Sequence, residues 1–556
     1  MKKISRRKFL KAGSAAGMGA LLGCSLQPQF DIIIKNGTAF DGLGNPGKTL
    51  DIGIKNNKIK AITNLENATA DTTIDAEGLY IAPGFIDIHT HTDLELLANP
   101  KAESKIRQGI TTEVAGNCGY SPFPLTSGDG KELDKEAQRK YGFSVNWTNL
   151  KGFFRAIEER KTALNYATFT GHGDLRSFVV GKNDVQPGAG QIKEMQRKLA
   201  QSMEFGSLGL STGLEYAPGS YADTKEIIEL CKIVTKRRGV YATHMRSEGA
   251  RVEEAIQEAL DISRKSGVSL QISHLKACNK PNWHKIENMM HLIHNAQKEG
   301  LAVLADRYPY SAWGTGLTTF LPLWARQGGT DDILARLKNT TDRAKIRQYS
   351  RERGQLIGGW DHIMISSCDT KQNKKWEGKY ISECIQETGQ SPTEFIFELL
   401  DEERNKVSII GFAMDEGNLK KVLSDPLVVI GSDGTAVAPY GKLGTGNPHP
   451  RYYGSFPRVL GKYCREEGIF DWPTAIKKMT SQSAQKLRLK QRGIIKKGYF
   501  ADITIFNPET VIDKAKFSNP HQYPEGIEYV IVNGKPVIIK GQHTGNLPGN
   551  ILHPLL

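Results

Sequence analysis

The sequence predicts an α/β fold: a (β/α)8 TIM-like barrel with a small β-sandwich domain built from both chain ends and an insertion between strands 7 and 8. Three observations lead to this prediction. Apolar strand-like runs alternate with amphipathic segments through the middle of the chain, both chain ends carry strand-and-turn patterns instead, and 57 of the 556 residues are glycine. Glycine at about 10%, against a typical ~7%, favours many strand–loop junctions over a helical bundle.

Strand-and-turn patterns at the two chain ends predict one small β domain. Residues 30–35 (FDIIIK) run into Asn-Gly, and residues 51–62 form a second hairpin pattern around Asn-Asn. Residues 501–506 (ADITIF) alternate between apolar and polar side chains in the same style. We therefore expect residues 28–82 and 486–550 to pair into one domain.

The middle of the chain alternates between short apolar runs and amphipathic segments, which is typical of βα units with a parallel sheet. Amphipathic segments at 189–204, 223–237 and 252–266 predict helices. Eight apolar runs predict strands, which is the number that closes a barrel. The predicted strands are residues 85–88, 110–115, 166–170, 208–210, 240–243, 269–273, 302–305 and 427–431.

The gap between the seventh and eighth predicted strands is too long for one crossover connection. We therefore assign residues 83–319 and 411–485 to the barrel, whose usual size is ~250 residues. Residues 320–410 are charged and partly helical. They are interpreted as an inserted segment and a candidate lid.

Metal-binding residue types follow five of the eight predicted strands. His89 and His91 end the first strand, and their spacing of two places both imidazoles on one face. The second, fifth, sixth and eighth strands are followed by Cys118, His244, His274 and Asp433. Because the carboxyl ends of barrel strands converge at one face, we expect these side chains to meet. Their chemistry predicts a site for one or two zinc-like ions.

Several short motifs resemble those of known hydrolases. Residues 82–91 (APGFIDIHTH) resemble the signature of the amidohydrolase superfamily. Other motifs resemble the D-aminoacylase (N-acyl-D-amino-acid deacylase) family: GITT at 109–112, GNCG at 116–119, GLSTGLEY at 209–216, THMR at 243–246, SHLK at 273–276, YPY at 308–310 and SDG at 432–434. By this resemblance, which covers roughly residues 30–540, the chain is identified as a member of that family.

The resemblance implies roles for the metal-binding residues. Cys118, His244 and His274 resemble the ligands of a tightly bound zinc ion. His89 and His91 resemble the ligands of a second, weaker site. The cofactor that the resemblance implies is therefore zinc, with one tightly bound ion and a second, weaker one.

The resemblance also bears on the reaction. Asp433 resembles the catalytic carboxylate of the family. Superfamily members that bridge two metals with a carbamylated lysine carry it on the fourth strand, but here that strand leads into residues 211–213 (STG) with no lysine. Cys118 then takes the bridging role, which argues against a dihydropyrimidinase-like or urease-like enzyme.

Three further residues lie on or after the same strands. Arg246, Lys276 and Tyr310 are candidates to hold the carboxylate and the acyl carbonyl of a substrate, with the arginine acting through a bidentate fork. His172, after the third strand, is expected to face the same rim as a supporting or substrate-facing residue.

The resemblance implies a zinc-dependent hydrolase that cleaves the amide bond of N-acyl-D-amino acids to a carboxylic acid and a free D-amino acid. The D-selectivity rests on the resemblance alone. Two alternatives remain open at this point. One is a dipeptidase or cyclic-amide hydrolase on the same barrel, and the other is a non-catalytic solute-binding lipoprotein.

The first residues of the chain carry an export pattern. Residues 5–11 (SRRKFLK) resemble the twin-arginine signal, and a short, weakly apolar segment follows at 12–22. Residues 21–24 (LLGC) resemble a bacterial lipobox. We therefore predict a signal peptide over residues 1–23, lipidation of Cys24, export through the twin-arginine route, and attachment to a periplasmic or cell-envelope face.

Composition limits the partners of the mature chain. The net charge is +14, but six of the basic residues precede Cys24 and no basic run with interleaved aromatic residues stands out elsewhere, so we expect no nucleic-acid partner. No long apolar stretch follows residue 24, so membrane contact is expected only through a lipid on Cys24. The seven cysteines show no close pairing, and a disulfide framework is not predicted. The expected partner is a small N-acyl amino acid, and the oligomeric state stays open.

Overall fold

The computed structural model describes residues 28–554. The predicted signal peptide and the predicted lipid site at Cys24 lie outside these residues. Within the described part of the chain, no helix combines the length and the apolar character that crossing a membrane requires. All six cysteines of the described part are free thiols.

Twenty-three strands occur in the described residues. They are β1 (Phe30–Lys35), β2 (Thr38–Ala39), β3 (Lys48–Thr49), β4 (Asp51–Lys55), β5 (Lys58–Thr63), β6 (Ala70–Asp75), β7 (Tyr80–Pro83), β8 (Phe85–Asp87), β9 (Ile110–Ala115), β10 (Asn165–Thr168), β11 (Thr170–Gly171), β12 (Gly209–Gly213), β13 (Val240–His244), β14 (Ser269–Ile272), β15 (Val303–Arg307), β16 (Trp313–Gly316), β17 (Ile363–Ser367), β18 (Ser408–Gly411), β19 (Val428–Ile430), β20 (Ile503–Phe506), β21 (Ile527–Val532), β22 (Lys535–Ile539) and β23 (Gln542–His543).

Helices connect and cover these strands. The α-helices of the described residues are Glu95–Ala98, Glu103–Ile106, Ser127–Lys140, Leu150–Arg160, His172–Val179, Ala189–Glu204, Thr224–Lys236, Val252–Ser266, Ile286–Lys298, Thr330–Lys338, Thr340–Ile357, Ile381–Thr388, Pro392–Glu402, Glu416–Ser424, Arg451–Arg458, Trp472–Met479 and Ser481–Lys486. Short 3-10 helices lie at Gly219–Tyr221, Lys280–Lys285, Leu317–Phe320, Leu323–Arg326, Trp360–His362, Lys371–Trp376 and Gly441–Leu443, and a π-helix spans Val459–Glu466.

Parallel strands form the centre of the molecule. A three-stranded sheet has the order β10-β9-β8, and a six-stranded sheet has the order β11-β12-β13-β14-β15-β19. All neighbouring pairs in these two sheets are parallel. Each of the eight predicted strands is present, in the predicted order. Strand β9 is buried along its whole length, as expected for a parallel strand covered on both faces.

The two central sheets do not form one continuous closed ladder, in contrast to the predicted closed barrel. The third predicted strand is interrupted at Phe169, which separates β10 from β11. Strands β8 and β19 are only three residues each, and the single bridge Thr90–Gly434 links the segments that follow them. The hydrogen-bonded ladder is therefore broken at Phe169 and between β8 and β19.

Amphipathic helices pack on the outside of the parallel strands. The three helices predicted at 189–204, 223–237 and 252–266 are confirmed, with ends that differ by at most one residue. In the helix Thr224–Lys236, Ile227, Leu230 and Val234 recur every three or four residues and are fully buried. Asp223 begins this helix by accepting the backbone N–H of Glu226 at 2.7 Å.

The chain ends form two sheets that pack on each other. One has the order β5-β4-β1-β6 and comes from the amino-terminal end alone. The other has the order β23-β22-β21-β20-β7-β2-β3, so strands from both ends pair in it, with Ile505 opposite Ile81. A shared cluster of buried isoleucines, including Ile34, Ile52 and Ile531, joins the two sheets.

The segment between β15 and β19 has a sheet and an apolar core of its own. Strands β16, β18 and β17 pair antiparallel in that order, around a core that includes Phe320, Ile346 and Leu400. We call Trp313–Gly411 the insertion. It begins earlier than the predicted residue 320, because β16 is paired with β18 and not with any barrel strand.

Candidate active site

A cavity of about 560 Å³ lies where the carboxyl ends of the parallel strands meet the insertion. The strand side provides His91, Cys118, His244, His274 and Asp433. The insertion provides an opposite wall that includes Trp313, Thr315, Arg353 and Ile410. Such a position at the carboxyl ends of parallel strands is where α/β enzymes bind their substrates.

Cys118, His244 and His274 form a compact cluster at the floor of the cavity. The Nδ1 atom of His244 lies 3.0 Å from Nε2 of His274, and that Nε2 lies 3.4 Å from Sγ of Cys118. All three side chains are buried. Their donor atoms are close enough to share one metal ion.

A second cluster shares Cys118 with the first. Nε2 of His89 lies 3.4 Å from the Cys118 sulfur and 3.4 Å from a carboxylate oxygen of Asp433. The same Asp433 oxygen lies 3.0 Å from Nε2 of His91. The thiol of Cys118 therefore lies between two groups of possible ligands, which is the geometry of a bridging residue.

Three of these imidazoles carry a carboxylate on their other ring nitrogen. Asp306 contacts Nδ1 of His89 at 3.0 Å, Glu248 contacts Nδ1 of His274 at 2.7 Å, and Glu215 contacts Nε2 of His244 at 3.3 Å. At His89 and His244 the carboxylate fixes the proton on the nitrogen it faces, so the inward nitrogen keeps its lone pair. Nδ1 of His274 also faces the ammonium group of Lys276 at 2.8 Å. Carboxylates in this position are typical partners of metal-binding histidines.

The donor set fits a cation. The inward nitrogens of His244 and His274 are 3.0 Å apart, and two lone pairs at that distance repel unless a proton or a metal ion lies between them. Burial alone would raise the pKa of the Cys118 thiol, but the imidazoles of His89 and His274 hold that pKa well below its usual range. A thiolate with two imidazoles is a common ligand set for zinc.

Three residues of the site have left-handed backbone conformations. Cys118, His274 and Asp433 have φ values of 52°, 36° and 50°, which residues other than glycine rarely adopt. Each of these residues lies in the turn that follows a parallel strand. Such strain is concentrated at functional sites, where the surrounding structure holds it in place.

A buried ion-pair network lies under Asp433. Nζ of Lys105 contacts Asp87 at 2.9 Å and donates to Ser432 Oγ at 2.7 Å and to the Gly434 carbonyl at 3.2 Å. Asp87 in turn accepts the backbone N–H of Ser432 at 2.8 Å. The loop on either side of Asp433 is therefore fixed from below.

The carboxylate of Asp433 is held in its ionised form. One oxygen faces His91, and the other lies 2.8 Å from a guanidinium nitrogen of Arg451. Burial alone would raise the pKa of Asp433, but Arg451 and the facing imidazoles hold it well below the usual range. The group is therefore ionised at neutral pH.

Comparison with known proteins gives the family. A family model described as "Amidohydrolase family" matches residues 72–281 and 365–538. A D-aminoacylase of Alcaligenes xylosoxydans xylosoxydans is 35% identical over 526 residues, which covers 94% of this chain and 97% of that protein. The chain belongs to the D-aminoacylase branch of the amidohydrolase family.

Solved structures of the same branch share this fold. An N-acyl-D-glutamate deacylase from Bordetella bronchiseptica, complexed with zinc and a phosphonate inhibitor, is 31% identical and superposes with a TM-score of 0.79, covering 94% of this chain and 99% of that one. A D-aminoacylase with a binuclear metal centre is 33% identical, with a TM-score of 0.79 and coverage of 94% and 100%. This amidohydrolase is therefore an enzyme, and the relatives give no support to a solute-binding lipoprotein.

The structure brings all six predicted metal-binding and acid–base residues of this amidohydrolase together, but two of its predicted substrate residues lie elsewhere. The guanidinium of Arg246 is paired with Glu258 at 2.9 Å and donates to the Ser220 and Ala222 carbonyls. The hydroxyl of Tyr310 donates to Asp513 at 3.1 Å. Neither side chain lines the cavity, because each is hydrogen-bonded to residues of other secondary-structure elements.

The outcome differs between Lys276, which lines the cavity, and His172, which does not. Lys276 does line the cavity, but its ammonium group contacts the Glu248 carboxylate and two atoms of His274. His172 is fully buried and pairs with Glu226 at 2.7 Å, and it does not line the cavity. The prediction that His172 faces the rim is wrong, because the imidazole turns toward the helix that carries Glu226.

Tyr308 and Arg451 are among the cavity residues that sequence reasoning missed. Tyr308 directly follows β15, and its buried hydroxyl has no hydrogen-bond partner among residues 28–554. Its position immediately after a strand could have favoured it over Tyr310. Arg451 begins the helix Arg451–Arg458 and follows no strand, so no local signal points to it.

Proposed function

We propose that this amidohydrolase is a zinc-dependent hydrolase that cleaves N-acyl-D-amino acids to a carboxylic acid and a free D-amino acid. One observation carries the proposal: the buried thiol of Cys118 and the imidazoles of His244 and His274 converge beside the carboxylate of Asp433 at the floor of a cavity. The names of the relatives support the substrate class and its chirality.

The metal would be held by residues of the two clusters. Cys118, His244 and His274 would bind the tighter zinc ion, and His89 and His91 would bind a weaker second ion with Cys118 and Asp433. When bound, zinc acts as a Lewis acid that lowers the pKa of water to roughly 7 and polarises the acyl carbonyl.

Asp433 would carry the proton between the attacking water and the leaving amine. Its carboxylate oxygen lies between His89 and His91 at the edge of the metal cluster, so it faces the position of the nucleophile. The low pKa of Asp433 means that it is ionised before the reaction. Its position beside the nucleophile would let it accept the proton as the water attacks. It then returns the proton to the amide nitrogen as the carbon–nitrogen bond breaks.

Tyr308 and Arg451, in the part of the cavity wall beside Asp433, would hold the α-carboxylate of the substrate. Tyr308 presents a buried hydroxyl with no partner, and the Nε of Arg451 is likewise buried without one, in the part of the chain that the structure describes. The guanidinium of Arg451 lies 4.7 Å from the centre of the Tyr308 ring, so both groups lie in the same part of the cavity. A carboxylate there would satisfy both donors.

The test is a panel of N-acetyl-D- and N-acetyl-L-amino acids assayed for amine release, together with metal analysis of the purified protein. We expect bound zinc, release of D-amino acids, and little or no release of their L-enantiomers. Equal rates on both enantiomers would contradict the D-selectivity. Turnover of dipeptides or cyclic amides alone would contradict the substrate class.

We also propose that the chain is exported by the twin-arginine route and lipidated on Cys24. The proposal rests on residues 5–11 and on the lipobox-like residues 21–24. Labelled fatty acid should enter the wild-type protein and not the Cys24→Ala variant. Absence of label from the wild type would contradict the lipid anchor.

A further inference from the structure

Two arginines of the insertion contact Glu215 at the floor of the cavity. Arg326 of the insertion is buried, and it donates to the Leu321 carbonyl at 2.7 Å and to the Glu215 carbonyl at 3.4 Å. Arg353, on the helix Thr340–Ile357, lies 3.5 Å from the Glu215 carboxylate and donates to Thr319 at 2.7 Å. Two arginines of the insertion thus meet one residue of the loop that follows β12.

Glu215 faces the metal cluster with its other oxygen. This oxygen lies 3.3 Å from Nε2 of His244, while Nδ1 of His244 faces His274 and Cys118. A proton held on Nε2 by Glu215 leaves the Nδ1 lone pair free for the metal. The ring of Tyr216, whose centre is 4.7 Å from that of His244, packs on the same imidazole.

We propose that Glu215 is a positioning residue that connects the docking of the insertion to the orientation of the metal ligand His244. Arg353 holds one oxygen of the carboxylate, so the other oxygen stays directed at Nε2 of His244. The insertion then acts as a fixed wall that helps to complete the metal site, and not only as a cover over the substrate. This inference rests on the metal-binding part of the proposed function.

The arrangement of charges makes Arg353 the partner on which Glu215 depends. Arg353 and Glu215 are each about one quarter exposed, at 24% and 28%, so their attraction is partly screened by water. Of the two arginines, only Arg353 contacts the carboxylate, since Arg326 contacts the backbone oxygen. Loss of Arg353 would free the carboxylate to turn away from His244 without removing it.

The experiment measures the dissociation constant for zinc alone by competition with a chelator. Glu215→Ala should weaken zinc binding ~10–100-fold, the usual effect of removing a carboxylate behind a metal-binding histidine. Glu215→Gln, which keeps the shape of the side chain, and Arg353→Met should weaken it less. In the Glu215→Ala background, Arg353→Met should have no further effect, and Arg353→Lys should restore part of the affinity in the wild-type background.

The matched control is Arg347→Met on the same helix. Arg347 pairs with Glu394 at 2.7 Å on the outside of the insertion, so this change removes a similar ion pair without touching the cavity wall. Its zinc affinity should equal that of the wild type. For the Glu215 and Arg353 variants, saturating zinc should restore kcat with KM unchanged, which a damaged substrate wall would not allow.

Two results would overturn the inference. One is an unchanged zinc affinity in Glu215→Ala, and the other is an equal effect of Arg353→Met with and without Glu215. A wild-type protein that binds no zinc would overturn the inference and the proposed function together. Normal zinc binding with the expected variant effects, but no hydrolysis of N-acyl amino acids, would contradict the proposed function alone.

Discussion

Two parts of the cavity differ in how completely their polar groups are satisfied: the metal cluster, called the metal end, and the pair Tyr308 and Arg451, called the substrate end, which contacts Asp433 of that cluster. At the metal end, the three imidazoles of His89, His244 and His274 each have a carboxylate on the outer nitrogen. At the other end, the hydroxyl of Tyr308 and the Nε of Arg451 are buried without partners in the described residues. An unpaired buried donor costs ~1–3 kcal/mol, which binding of an anion would recover.

This difference separates two tasks. The metal end is fixed by its own hydrogen bonds and strained backbone before any substrate arrives. The substrate end is completed only by a ligand that brings an acceptor. Substitutions at the metal end should therefore abolish chemistry. Substitution of Tyr308 should mainly weaken binding of the acid, whereas substitution of Arg451 should also affect Asp433.

The largest effect is expected from Cys118→Ala. Cys118 is shared by both metal clusters, so its loss removes a ligand from each. The variant should lose tightly bound zinc and all measurable turnover, as checked by metal analysis and amine release. The control is Cys278→Ala, because Cys278 lines the same cavity but burial raises the pKa of its thiol to about 12. Equal zinc content in the Cys118→Ala variant and the wild type would exclude this thiol as a ligand.

A smaller loss is expected from Asp433→Asn, which keeps the shape of the side chain but cannot accept a proton. General acid–base groups contribute ~10²–10⁴ in rate, so kcat should fall by that factor. Zinc at the Cys118, His244 and His274 cluster should remain, because Asp433 does not belong to that cluster. Steady-state kinetics and zinc analysis check both statements. If the variant loses this zinc as well, Asp433 is chiefly a ligand.

The smallest effect in this series is expected from a pair of tyrosines. Tyr308→Phe removes the free hydroxyl, and a hydrogen bond to a charged group is worth ~1.5–3 kcal/mol, so KM should rise roughly 10- to 100-fold. Tyr310→Phe should leave KM unchanged and lower the free energy of unfolding by about 1 kcal/mol, since Tyr310 bonds to Asp513. Kinetics and denaturant titration distinguish the two. A rise in KM for Tyr310→Phe alone would reverse the assignment.

The metal end could be predicted from the sequence because its residues directly follow strands. His89, Cys118, His244, His274 and Asp433 each come within a few residues of a buried strand end, and parallel strands deliver such residues to one face. The position of each residue after a strand was therefore enough to predict one site, although its members are up to hundreds of positions apart in the sequence.

The substrate end could not be predicted in the same way. The position of Arg451 depends on how a helix beyond the last parallel strand packs over the site, and the lining residue Trp313 depends on the pairing of β16 with β18. Arg246 has the right chemistry and follows a strand, but Glu258 on the next helix binds its guanidinium. Such competition between partners is a property of the tertiary structure, and spacing does not reveal it.

The division of the cavity into two ends is tested most directly by comparing an N-acetyl-D-amino acid with its amide in the wild type, Arg451→Met and Arg246→Met. The ratio of kcat/KM for acid and amide isolates recognition of the carboxylate, even where loss of Arg451 also slows the step that uses Asp433. We expect the wild type and Arg246→Met to prefer the acid strongly, since removing the charge of one partner in a buried charged pair costs ~2–5 kcal/mol. We expect Arg451→Met to lose most of this preference while keeping its zinc. Equal activity of the wild type on acid and amide, or an unchanged preference in Arg451→Met, would contradict the account.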